Sequence, residues 1–334
     1  MSRGSQAAAV LEATGIGALL RRIRTWRGVL VVNHHRVGNG GAWATGRDVW
    51  SASADQLDAQ MRFLSRNFDV VSAAELVGSP PTRAGRRVAV TFDDGYRECY
   101  DVAFPILRAH GIPATFFLTT GFIDGTRAAW WDEITWMANV SGRATVAADG
   151  WLPAPVDLDE GRREASLALL KAHYKTLPEP DAERFLDHLA AATGSGRRDP
   201  AQAREDWLTW EMAREMRRAG MALGGHSVNH PILARQSPRT QRAEIEGCLD
   251  RLEAELGERP QLFSYPEGTA GAVDATTKAI AARAGVRLAF MNVGGVARGE
   301  RWDPLAVPRY SLGHSVTASR FRAVATLPQV FARG

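Results

Sequence analysis

The stretch "VAVTFDDGYRECYDVAFPILRAHGIPATFFLTTGF", residues 88–122, reads as a complete strand–helix–strand unit. Val88–Phe92 is apolar and β-prone, and it stops abruptly at two adjacent carboxylates, Asp93 and Asp94, followed by Gly95. Residues 97–111 then read as a helix closed by Gly111, and residues 113–122 as a second β-rich run. Two strands joined by a crossover helix run parallel. Adjacent carboxylates repel each other and are costly to bury unpaired. Asp before Gly is commonly only a turn or a helix N-cap, so the pair needs partners from elsewhere before it means chemistry.

The same rhythm runs through most of the chain. Strand-like runs occur at 28–37, 68–72, 287–293 and 305–312, and in "MALGGHS" and "PQLFSYP". Helical patterns occupy 53–67, 209–220, 237–257 and 274–285, the third with Pro at its first turn and Gly at its end. Alternation of this kind predicts βα units and a parallel sheet, and seven or eight of them favour a barrel. The expected fold is α/β, an irregular (β/α) barrel of about seven parallel strands. Residues 124–206 break the rhythm and read as a helical insertion within a barrel spanning 28–334. Residues 1–27 read as an N-terminal amphipathic helix docked on the barrel, with a membrane-surface role for its Ala/Leu face and Arg21, Arg22 and Arg24 as the alternative.

The 334 residues are 45% hydrophobic and 23% charged, ordinary for a soluble globular chain. The net charge of +4 is spread thinly, with no basic run interleaved with aromatics, which argues against a nucleic-acid partner. Cys99 and Cys248 lie far apart in helix-like segments, so they suit neither a metal site nor a disulfide framework. The sequence shows no clear signal peptide and no apolar run of membrane-spanning length, so the expected location is cytoplasmic or membrane-associated. The oligomeric state is not legible.

In a parallel barrel, the residues just past each strand end gather on one rim, where active sites form. Here those residues are His34-His35-Arg36, Asp93-Asp94-Gly95, His226-Ser-Val-Asn-His230 and Glu267-Gly268. On a helical turn, the spacing of His226 and His230 would put both imidazoles on one face. With one carboxylate from another strand they would make a two-His, one-carboxylate set suited to Zn²⁺ or a similar divalent ion.

"TFDDGY" together with "GGHSVNHPIL" resembles the polysaccharide deacetylase family, the NodB-homology or carbohydrate esterase family 4 hydrolases, and "FSYPEG" is similar to its third motif. The resemblance covers roughly 28–125 and 205–313. It implies Asp93 as general base for the attacking water. It also implies Asp94, His226 and His230 as ligands of one divalent metal ion, Zn²⁺ first among them. The oxyanion and substrate would meet the third motif, Tyr265, Pro266 and Glu267, the last through its backbone N–H. "NHHRV" resembles the "YHxV" motif of a permuted branch of the family, which implies His35 as general acid, with His314 of "SLGHS" as the runner-up. The family's third motif commonly begins with an Arg that orients the base; none stands there, and Arg309 is the candidate replacement. Trp130 and Trp131 offer a flat platform for a sugar ring or pack the insertion, with Trp131 the better candidate for the site.

The implied function is metal-dependent removal of N-acetyl groups from an N-acetylated glycan or lipid-linked sugar. Two alternatives stand beside it: hydrolysis of non-sugar C–N bonds, as in cyclic amides or imides, on the same site, and a catalytically silent carbohydrate-binding barrel.

Overall fold

A computed structural model describes residues 3–23, 26–38, 47–77, 86–152, 154–178, 180–298 and 302–332. Arg24, which figures in the sequence reading, lies outside these residues. Seven parallel strands form a closed barrel: β1 (Gly28–His34), β2 (Arg86–Phe92), β3 (Ala114–Leu118), β4 (Ala222–Gly225), β5 (Leu262–Ser264), β6 (Leu288–Met291) and β7 (Val307–Ser311). Each pairs with the next, and β1 pairs with both β2 and β7, through Val31↔Ala89 and Val31↔Arg309. A short strand, Asp69–Val70, pairs with the N-terminal half of β2.

Alternation along the strands sorts the side chains. Val29, Val31, Ala89, Phe117, Leu262, Leu288, Phe290 and Val307 form one buried cluster, the barrel interior. Their neighbours Leu30, Val32, Val88, Val90 and Phe116 pack outward with the helices into the main core. Continuing the inward positions toward the strand ends leads from apolar residues to Asn33, Thr91, Asp93, Ser264 and Arg309, all buried. The barrel therefore has an apolar floor and a polar top layer, and the two-residue period assigns each side chain to one or the other. Gly224 is required by this closure: a Cβ there would lie 2.7 Å from the Phe117 ring and 2.8 Å from the Leu262 carbonyl.

The long helix at Pro238–Leu256 starts at the Ser237 cap and ends at Gly257 in the left-handed region, as its sequence signals predict. The helix after the DDG motif differs from expectation. Pro105 has no N–H to give to the Asp101 carbonyl, and the segment opens as a π turn over Cys99–Ala103 before continuing as Phe104–Ala109. Residues 73–77 carry a 3₁₀ turn, Ala74–Leu76.

Between β3 and β4 lie several helices. Trp130–Val140 packs against Arg163–Tyr174 and Asp181–Thr193. Residues 3–23 form two helices, Arg3–Ala13 and Ile16–Ile23, where one was expected. They lean on the helix Ala318–Thr326, with Arg21 donating to Thr326 Oγ1 at 2.8 Å. Trp26 Nε1 donates to the Ala325 carbonyl beside them. Among the described residues no helix is long and apolar enough to cross a membrane. Both cysteines are buried and free.

Candidate active site

The rim at the C-terminal ends of the strands collects the predicted residues. A cavity of about 370 Å³ there is lined by, among others, His35, Asp93, Asp94, Trp131, His226, His230 and Glu267.

Asp93 is 1% exposed and held from three strands. Arg309 on β7 donates through Nη1 to Oδ1 at 2.8 Å and through Nη2 to Oδ2 at 2.6 Å. Asn33 on β1 and Ser264 on β5 donate to Oδ2 at 3.0 and 3.2 Å. Burial alone would push this carboxyl up, but the Arg309 charge, the neighbouring His226 and the hydrogen bonds outweigh it and hold it well below the usual carboxylate range. Asp93 is thus an oriented, ionised carboxylate.

Asp94 points elsewhere. Its Oδ1 lies 3.3 Å from His226 Nε2 and 3.5 Å from His230 Nε2. One ligand atom from each of the three residues falls within 4.8 Å of the others. His226 Nδ1 faces the Ser264 carbonyl at 2.7 Å; a carbonyl only accepts, so Nδ1 carries the proton and Nε2 presents its lone pair to Asp94. Burial lowers His230 to about 3 and keeps it neutral, and the neighbouring His226 works in the same direction. Burial also opposes a charge on His226, but Asp93 and Asp94 outweigh it and raise its pKa. The point between these groups favours a positive charge.

A divalent ion fits this set on the structure's own terms. Asp94 Oδ1 is buried with no hydrogen-bond partner, although a bare carboxylate oxygen is costly to bury. Asp93 has its Arg309; Asp94 has no Lys or Arg partner among the described residues.

The histidines do not lie on a helical turn, as their spacing suggested. Residues 226–230 form a loop in which Ser227 and His230 take positive φ values of 65° and 58°. Among the described residues four non-glycines have positive φ, the other two being Asp94 and Glu267, and all four belong to the rim motifs. Such conformations are costly and persist where surrounding structure imposes them. Here the loop is pinned by Glu244, whose carboxylate accepts from the N–H groups of Val228 and Asn229.

His35 lines the cavity, its Nε2 4.0 Å from Asp93 Oδ2. His34 turns outward, bonds Gln60 at 2.9 Å, and is pushed down to about 4 by burial. His314 is exposed and does not line the cavity. Glu267 does line it, and Asn292 Nδ2 donates to its carbonyl at 3.2 Å. Gly268 completes that turn at φ +63°, where a Cβ would lie 2.8 Å from Asn292 N. Tyr265 does not reach the cavity. It is one step beyond the inward Ser264, so its ring packs outward against Phe263 and its hydroxyl donates to Leu305 O. Pro266 does not line the cavity either.

Trp131 stands edge-on to His230, ring centres 4.6 Å apart, and its Nε1 donates to Tyr96 Oη at 2.6 Å. Tyr96 in turn donates to the buried Asp132 at 2.8 Å. Burial raises the Asp132 carboxyl to about 6, against the pull of Arg36 and the Tyr96 hydrogen bond. A raised carboxyl favours the protonated folded state, so its stabilisation is complete below the unfolded value of 3.8 and is lost as pH rises through about 6. Relative to Asp132→Asn, the wild type should therefore lose about 2 kcal/mol of stability between pH 4 and pH 7. Denaturant titrations of both proteins across that range check this, and parallel pH profiles would refute it.

Sequence reasoning did not single out Asn33, Lys175 or Asp48, all at the site. Asn33 was findable: it sits two residues after Val31 on the inward face of β1. Lys175 and Asp48 carry no local signal.

The matching family model is that of the polysaccharide deacetylases, aligned over residues 81–151 and 181–289, just over half of the chain. This chain belongs to the polysaccharide deacetylase family. Among solved structures it is similar to the Streptococcus pyogenes deacetylase PplD in complex with acetate, at 18% identity and TM-score 0.57, over 92% of this chain and 98% of that one. IcaB from Ammonifex degensii matches at 21% identity and TM-score 0.54, over 91% and 98%. The BpsB deacetylase domain from Bordetella bronchiseptica matches at 15% identity and TM-score 0.52, over 86% and 97%. At these identities the likeness concerns the fold. A search of curated protein sequences returned no match. Within this polysaccharide deacetylase, His35, Arg309 and Lys175 all lie outside the stretches that the family model matches.

Proposed function

We propose that this chain is a metal-dependent N-deacetylase acting on an N-acetylated glycan or a lipid-linked amino sugar. The observation that carries the reading is the Asp94–His226–His230 triangle, lacking a fixed cation, beside an Asp93 that Arg309 holds ionised. Asp94, His226 and His230 would hold the ion, and Zn²⁺ suits two imidazoles and one carboxylate with positions left open. When bound, the ion would supply positive charge that polarises the acetamide carbonyl and lowers the pKa of water at the site.

The chain's own residues supply the rest. Asp93 takes the proton from the attacking water as general base, oriented by Arg309. His35, across the cavity, donates a proton to the leaving amine. The Glu267 N–H faces the developing oxyanion: among the described residues it donates no hydrogen bond to protein. Trp131 offers an apolar wall to the sugar. The deacetylase unit is taken as a single barrel over 28–334 with residues 124–206 inserted, preceded by a helical segment at 1–27. That segment exposes Ile16, Leu19 and Ile23, which suits contact with a membrane surface in the cytoplasm.

The test is acetate release from a panel of N-acetylated glycans. Release should occur with a divalent metal, vanish with a chelator and return with Zn²⁺. Release that persists undiminished after exhaustive chelation would overturn the metal-dependent reading.

A further inference from the structure

Resting on that reading, we propose that Lys175, carried by the insertion, is a positioning residue for the oxyanion donor. It neutralises the Glu267 side chain, so that the same residue's backbone N–H can face a developing negative charge.

The charges around the cavity lead to this. Four carboxylates line it: Asp48, Asp93, Asp94 and Glu267. Asp93 is paired with Arg309, Asp48 with Lys171 at 2.7 Å, and Glu267 with Lys175 at 2.8 Å. Asp94 alone has no Lys or Arg partner among the described residues, and it is the proposed metal ligand. Lys171 and Lys175 are four residues apart at the end of the helix Arg163–Tyr174, so one face of the insertion delivers both cations. That helix end is anchored at the cavity by Tyr174, which stacks on Trp130 at 4.2 Å, with Lys175 Nζ 5.6 Å from the same indole.

Glu267 is an awkward residue for its place. Its φ of 60° and the Asn292 bond to its carbonyl fix the turn, whose N–H donates to no protein group among the described residues. Its carboxylate hangs from the same Cα, and an unpaired negative charge there would oppose the oxyanion that the N–H is meant to stabilise. Lys175 removes that opposition. The pair is partly exposed, so breaking it should hardly affect folding. Its consequence is local, in the field at the oxyanion position and in the order of the turn.

The test is a double-mutant cycle on Lys175→Met and Glu267→Gln in the metal-loaded full chain, with the glycan that releases most acetate. Lys175→Met should lower kcat about tenfold to a hundredfold while KM changes less than about threefold. Adding Glu267→Gln to Lys175→Met should recover most of that loss, because the offending charge is gone. Lys175→Arg should retain most activity. A double variant as slow as Lys175→Met, or Lys175→Met at the wild-type rate, overturns the proposal while leaving the deacetylase reading intact. If the wild type releases no acetate from any glycan, that reading falls, and hydrogen exchange over residues 265–268 decides the contact itself. Lys175→Met should speed exchange severalfold, and unchanged exchange overturns it.

Discussion

Asp93→Asn should retain stoichiometric metal and lose at least about a thousandfold in kcat. The substitution keeps size and shape but removes both the basic oxygen and the charge. Asp94, His226 and His230 are untouched, so the metal set survives. A second effect accompanies the first. Arg309 is fully buried, and its charge is answered by Asp93. Leaving it unpaired should cost about 3–5 kcal/mol of stability. An amide also turns a donor toward the donors of Arg309, Asn33 or Ser264, so the four bonds around Asp93 cannot all persist. Thermal unfolding and single-turnover acetate release, measured well below the melting point, separate the two effects. A wild-type rate in Asp93→Asn would remove Asp93 as the base.

His226→Ala should lower metal affinity by well over about a hundredfold, more than the loss of an outer-shell partner costs. It removes one of the three proposed ligands, and with it the bond that ties the site to the Ser264 carbonyl. Asp94→Ala should do the same for a different reason: it removes the carboxylate that calls for a cation at this point. Metal content after dialysis and competition with a coloured chelator measure both. Retained stoichiometric metal in either variant would sink the ligand assignment. In the apo state Asp94→Ala should be less harmful to stability than an ordinary buried substitution, since it deletes an oxygen that lacks a partner.

Much of this was readable locally. Apolar runs of strand length, helices with caps and glycine stops, and their alternation led to a parallel barrel, and hence to a rim carrying Asp93, Asp94, His226, His230, His35 and Glu267. Two local readings did not transfer. Four-residue spacing suggested a helical turn for His226 and His230, yet the Glu244 carboxylate and positive φ values hold them in a loop. Tyr265 sits in a motif, but a strand alternates its faces, and Ser264 had already taken the inward one.

The sequence by itself determined the fold class and the rim position of the chemical groups, because strand and helix periods and their breakers act within a few residues. Only the tertiary structure decided what each group does to its neighbours. Barrel closure pairs β1 with β7, and that brings Arg309 to Asp93 from 216 residues away. The helices between β3 and β4 fold back to bring Lys175 to Glu267 across 92 residues. No local pattern encodes such meetings, since they depend on how the ring closes and where the helices between β3 and β4 land. The two carboxylates that end β2 therefore look equivalent in the chain. In the fold they part: Asp93 meets Arg309, and Asp94 has no Lys or Arg partner among the described residues.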